Sequence, residues 1–136
     1  MVWECLIPGK RNTIWDGGFY RVVLKFSAKY PLEPPHAKFV PRLLHPNVYP
    51  TGTICSNLLT NQGWRPALTI KQLLLAFQNL LDEPNLSSPA QSEAFKLITQ
   101  NPKEYNLRVK RLAQQYNAPV MPIGLPLDNE NAKRNK

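Results

Sequence analysis

The chain has 136 residues, 43% of them hydrophobic, and carries 17 Lys and Arg against 9 Asp and Glu, a formal charge of +8. That size suits one compact domain with its own core, while no apolar run approaches the roughly 20 residues a membrane span needs. The start, Met1-Val2-Trp3-Glu4-Cys5, has neither the basic nor the apolar region of a secretory signal, and two cysteines without framework spacing fit a reducing compartment rather than a disulfide scaffold.

The first 40 residues read as strands. Val2 to Ile7 is a short apolar run closed by Pro8-Gly9. After the turn signal Gly17-Gly18, Phe19 to Phe26 alternates, with Tyr20, Val22, Leu24 and Phe26 on one face. His36 to Val40 makes a third short strand, entered from Pro34-Pro35. The three predict an antiparallel meander with one wetted face. From Pro41 to Pro66 the density of Pro, Gly and Asn predicts irregular chain, and irregular loops of that length are often functional.

Three helices follow. Thr69 and Gln72 form a capping-box pair ahead of Ile70, Leu73, Leu74, Phe77, Leu80 and Leu81, an apolar stripe at helical spacing that stops before Pro84. Ser88, Pro89 and Gln91 give start signals for a second helix carrying Ala90, Ala94, Leu97 and Ile98. Asn101, Pro102 and Glu104 start a third, with Tyr105, Val109, Leu112, Ala113 and Tyr116 on its inner face. Strands first and helices after predict an α+β domain over residues 1–116. Residues 117–136, proline-rich and then polar, read as a disordered tail with weak docking through Val120, Met121 and Ile123.

The chemistry centres on Cys55 in His45-Pro46-Asn47-Val48-Tyr49-Pro50-Thr51-Gly52-Thr53-Ile54-Cys55. A thiol preceded by an asparagine-bearing loop and followed by Trp64-Arg65-Pro66 reads as an acceptor cysteine with an amide partner nearby. A buried structural thiol is the plainer alternative, but a Pro- and Gly-rich loop is a poor place for core packing. No Asp or Glu lies between Glu33 and Asp82, so the neighbourhood in sequence is positive, which favours thiolate and attracts acidic partners. Basic residues are spread along the whole chain without aromatic interleaving, which argues against nucleic acid as the main partner.

The His45-to-Cys55 segment resembles the catalytic segment of the ubiquitin-conjugating enzyme family. The likeness extends through Trp3-Glu4-Cys5-Leu6-Ile7-Pro8-Gly9-Lys10, Tyr30-Pro31-Leu32-Glu33-Pro34-Pro35 and Trp64-Arg65-Pro66-Ala67-Leu68-Thr69-Ile70-Lys71-Gln72, stretches most similar to the SUMO-conjugating branch. The resemblance covers roughly residues 1–116. It implies an α+β fold in which the meander leads into an active-site loop and three helices. It also implies an enzyme that carries SUMO, or another ubiquitin-like protein, as a thioester on Cys55 and passes it to substrate lysines. Thiolate leaves far more readily than alkoxide, which suits cysteine to a relay.

The roles implied by the resemblance follow residue by residue. Asn47 stabilises the oxyanion or holds the loop that does; a donor to a developing oxyanion is worth about 3 kcal/mol. His45 and Pro46 support that loop, with His45 structural rather than a base. Tyr49 lines the acceptor-lysine channel, where an apolar wall lowers the amine pKa. Ser88 stands where the branch has an aspartate at the gate, and doubles as a helix cap. Lys38, Thr51 and Thr53 face an acidic residue beyond the target lysine, with His36 replacing a lysine. The loop Thr60-Asn61-Gln62-Gly63 is neutral where the branch is acidic. No metal or organic cofactor is implied, since ATP is consumed by the activating enzyme. The partners implied are SUMO or a relative of it, that activating enzyme, ligases, and substrates with an acidic residue after the lysine. The resemblance implies nucleus and cytoplasm as location, and no membrane.

The family begins with a helix and a first strand ahead of the segment matching Met1-Val2-Trp3. Their absence here implies either impaired charging or an incomplete sequence, and leaves Val2 to Ile7 as an exposed edge. A rival reading is therefore a non-catalytic scaffold on the same fold, binding ligases or substrates. A metal site built from Cys5, His36, His45 and Cys55 is weaker still, for no close-spaced pair exists among them.

Overall fold

The computed structural model describes residues 1–118; apart from its first two residues, the expected disordered tail lies outside that range. Three strands, β1 (Val2–Pro8), β2 (Phe19–Lys25) and β3 (His36–Phe39), form an antiparallel sheet in the order β1-β2-β3. The alternation in β2 decides the facing: Tyr20, Val22 and Leu24 are buried, while Arg21 and Val23 are half-exposed. Register carries the pattern to the neighbours, setting Ile7 opposite Tyr20, and Phe39 and Ala37 opposite Val22 and Leu24. β1 lies at one edge of the described sheet, and Val2 and Trp3 on it are exposed.

Helix α1 (Ile70–Asp82) forms where its stripe predicts. The Thr69 hydroxyl accepts from the Gln72 N–H and the Gln72 side chain accepts from the Thr69 N–H, so two orphan donors of the first turn are satisfied reciprocally. Its buried face is Leu73, Phe77 and Leu81. Phe77 is fully buried, and truncating it to alanine would cost about 3–5 kcal/mol. The Gln78 amide ties the helix to the sheet by donating to the Pro8 carbonyl at 2.9 Å. Helices α2 (Ser92–Gln100) and α3 (Pro102–Gln115) pack as a hairpin around Asn101, whose side chain caps α3 on the Glu104 N–H with Pro102 in the first turn. The end of α3 is stitched to the sheet where the Phe19 N–H donates to the Tyr116 carbonyl at 2.7 Å.

Two expectations are corrected. The Pro41–Pro66 stretch is not irregular throughout: residues 47–55 form a tight hairpin that pairs with itself at Val48 and Ile54 and with β3 at Lys38 and Thr53. Its turn needs Gly52, which sits at φ +93°, and a Cβ there would meet the Phe39 carbonyl at 2.4 Å. A short 3-10 turn, Asn57–Leu59, follows. Second, α2 begins at Ser92, not at Ser88-Pro89, so Ser88 caps no helix. Residues 85–91 are instead held against the loop that precedes the hairpin.

Candidate active site

The loop ahead of the hairpin is organised around a buried imidazole. His45 has no solvent exposure; its Nε2 donates to the Leu80 carbonyl at 2.8 Å and its Nδ1 accepts from the Asn47 N–H at 2.9 Å. These two contacts select one neutral tautomer. Burial pushes the His45 pKa down to about 4, against the opposing pull of the Leu80 and Leu81 carbonyls. Trp15, also fully buried, lies with its ring centroid 6.0 Å from that of His45 and holds it from the other side. An imidazole so enclosed between a carbonyl and an amide is a scaffold element and faces no reactive group.

Asn47 comes next and is 1% exposed. Its backbone carbonyl accepts from the Cys55 N–H at 2.8 Å, which fixes the two ends of the hairpin side by side. Its side chain points away, to the segment before α2. There Oδ1 accepts from the Asn85 N–H at 2.7 Å, while Nδ2 donates to the Asn85 carbonyl at 2.8 Å and the Ser88 carbonyl at 3.1 Å. Both amide hydrogens are therefore engaged. Of the two roles expected for Asn47, this geometry is that of a loop holder.

The grip on residues 85–91 continues past Asn47. The Ala90 N–H donates to the Pro46 carbonyl at 2.7 Å. Gln91, at the N-cap of α2, makes no capping bond; its side chain is 5% exposed and its Nε2 donates to the carbonyls of Leu43 and Val48, each at 3.0 Å. One amide thus bridges the two flanks of His45-Pro46-Asn47. Sequence marked Gln91 only as a start signal of the second helix, because a glutamine beside a helix start reads as part of a capping pattern, and did not single out Asn85. The usable signal was its failure as a cap: glutamine is a poor N-cap residue.

Cys55 and Ser88 meet in a recess of about 170 Å³, lined also by Asn47, Leu80 and Asn85. Cys55 is a half-buried free thiol and Ser88 is exposed at the rim. Tyr49 is not part of that lining; it is 44% exposed, so its ring lies at the surface rather than in the core. Hydrogen bonding to the Cys55 sulfur, then the charge of the thiolate, raise the Tyr49 pKa above its ordinary value of 10.

Lys38, Thr51 and Thr53 do come together, at the tip of the hairpin. Lys38 bridges Thr53 across the strands, and the Thr51 and Thr53 hydroxyls are hydrogen-bonded at 3.0 Å. Ala37 and Phe39 face inward on β3, so His36 and Lys38 share its outer side. Cys5 lies on β1 and Cys55 at the hairpin end, both as free thiols. Among the described residues, no group of three or more His, Cys, Asp or Glu is placed to hold a metal, which overturns the metal reading of Cys5, His36, His45 and Cys55. No described helix is long and apolar enough to cross a membrane.

Residues 1–113 match the family model of the ubiquitin-conjugating enzyme. The chain is 50% identical over 120 residues to the SUMO-conjugating enzyme UBC9 of Caenorhabditis elegans, covering 88% of this chain and 72% of that protein. It is also 50% identical over 121 residues to the SUMO-conjugating enzyme SCE1 of Arabidopsis thaliana, covering 88% of this chain and 76% of that one. A three-stranded meander running into a Cys55-bearing hairpin and three helices accords with these matches, and the chain belongs to the ubiquitin-conjugating enzyme family.

Proposed function

We propose that the chain is a SUMO-conjugating enzyme whose residues 1–116 form the catalytic core and whose Cys55 carries SUMO as a thioester. The observation that carries the reading is the half-buried free thiol of Cys55 in a recess it shares with Ser88, on a chain half identical to two SUMO-conjugating enzymes. In the first step the Cys55 thiolate attacks the thioester carbonyl on the activating enzyme, whose own thiolate leaves. In the second, a substrate amine attacks the carbonyl on Cys55; the C–N bond forms, the C–S bond breaks, and the amine proton passes to solvent or a nearby base. ATP is spent earlier, by the activating enzyme, and neither step calls for a cofactor.

The other residues act by position. Asn47 holds residues 85–88 as one wall of the recess, with His45 and Pro46 as its support. Ser88 gates the incoming lysine with a hydroxyl dipole rather than a charge. Tyr49, exposed at the surface, lines the approach of the acceptor lysine. Lys38, Thr51 and Thr53, with His36, receive an acidic residue beyond the target lysine. Ligases and substrates of that type are the partners, in nucleus and cytoplasm.

The test is a non-reducing gel of the protein mixed with SUMO, its activating enzyme and ATP, beside Cys55→Ser. A band lost on adding thiol, and replaced in Cys55→Ser by none or by a thiol-resistant ester, is the expected result. No band from folded protein would replace this reading with a scaffold that binds ligases or substrates without being charged.

A further inference from the structure

Away from Cys55, the loop Arg42–Leu44 and helices α2 and α3 enclose a cleft of about 280 Å³. Its apolar lining comes from Leu43, Leu44 and Leu112, and three arginines, Arg42, Arg108 and Arg111, line it as well. Arg108 is already neutralised: it pairs with Glu93 at 3.0 Å and Glu104 at 3.1 Å, bracing α3 against α2. Arg42 and Arg111 are exposed, and neither pairs with a carboxylate among the described residues. Among the described residues, Glu93, bound to Arg108, is the single carboxylate in the lining.

A surface arginine ordinarily belongs to a solvated face and signifies little. Here two of them, contributed by separate elements, share one cleft with leucine side chains. Guanidinium groups bind carboxylates bidentately, and leucines favour an apolar side chain. An occupant satisfying both is a peptide with an apolar residue flanked by carboxylates. A nucleic-acid strand would want aromatic rings on which bases stack, and no aromatic residue lines the cleft. We infer that the cleft between Arg42–Leu44, α2 and α3 is a docking site for an acidic, leucine-bearing segment of a partner protein. The site stands apart from the Cys55 recess, with Gln91 between them: it lines the cleft while its amide holds the loop that precedes Cys55. The inference does not depend on whether Cys55 is charged.

The full chain, isotopically labelled, is titrated with a short fluorescent peptide of two central leucines flanked by glutamates. Amide shifts are expected at Leu44, Gln91 and Arg111. Binding should weaken at least about tenfold in Arg42→Glu/Arg111→Glu, weaken by less in Arg42→Gln/Arg111→Gln, and fall as salt rises. Both pairs replace exposed side chains, and a thermal melt of each checks that the fold is kept. Thioester formation on Cys55, read in parallel, should be unchanged. Equal binding by a peptide with lysines in place of the glutamates, or unchanged affinity in both double variants, would overturn the inference. So would tighter binding of an oligothymidylate through the same two arginines.

Discussion

Asn47 holds both backbone polar groups of Asn85: its Oδ1 accepts from the Asn85 N–H at 2.7 Å and its Nδ2 donates to the Asn85 carbonyl at 2.8 Å. The pairing copies the two-bond exchange between opposed residues of an antiparallel ladder, with a side-chain amide standing for one strand. Because the Asn47 backbone also binds the Cys55 N–H, a single residue couples the thiol to the facing wall of its recess.

Asn47→Asp tests that coupling with almost no change of shape. One carboxylate oxygen still accepts from Asn85, but the other now faces the carbonyls of Asn85 and Ser88, 2.8 and 3.1 Å from the nitrogen it replaces. Leaving such partners unsatisfied costs about 1–3 kcal/mol. We expect loss of hydrogen-exchange protection at residues 85–90 and slower discharge of the Cys55 thioester to lysine. The deficit should shrink in acid, as the carboxyl regains a donor. Unchanged protection in that segment would refute the holding role.

His45 makes a pH prediction. Its folded pKa, about 4, lies below the ordinary value of 6.5, so between those limits the unfolded chain binds a proton that the folded chain does not. Stability therefore rises with pH across this window and is lost as pH falls from 6.5 towards 4, by about 3 kcal/mol in all. His45→Gln keeps a donor for the Leu80 carbonyl and has nothing to titrate. Urea melts at a series of pH values should show a flatter profile in the variant over this window, even though it starts from lower stability at pH 7.

The features legible in the sequence were those with a local cause. Alternation placed β2, reciprocal capping by Thr69 and Gln72 placed α1, and Asn101-Pro102 placed α3. The hairpin of residues 47–55 was not legible, because Pro50 and Gly52 read as loop and its ladder rests on a bridge to distant Lys38. Ser88 was misplaced as a cap for a related reason: the bonds that hold residues 85–91 in place reach back to Pro46, Asn47 and Leu43, which local signals do not record. Cys55 and Asn47, both singled out from the sequence, are joined by a backbone hydrogen bond and line one recess. The direction of the Asn47 amide emerged only from the fold.

Gln91 is the residue on which sequence was least informative and whose contacts are most specific. Gln91→Leu would leave the Leu43 and Val48 carbonyls without their donor, at a cost of about 2 kcal/mol. Since those carbonyls flank His45-Pro46-Asn47, the expected kinetic signature is slower lysine discharge with unchanged half-saturation by substrate. A melting temperature lowered without any change in discharge at a temperature where both proteins are folded would make Gln91 purely structural.

Tyr49 reports the state of Cys55. Its pKa is raised by hydrogen bonding to the sulfur and then by the thiolate's charge, with burial least among the causes. Cys55→Ser removes the sulfur and with it the charge that acts on Tyr49, while leaving the exposed ring in place, so the Tyr49 pKa should fall back towards 10. Absorbance at the phenolate band resolves this by difference against Tyr49→Phe, which isolates the Tyr49 signal from the other four tyrosines, of which Tyr20 and Tyr105 are held higher by burial. Alkylating Cys55 should act in the same direction as Cys55→Ser. A Tyr49 titration indifferent to both changes would mean that its hydroxyl does not interact with the sulfur.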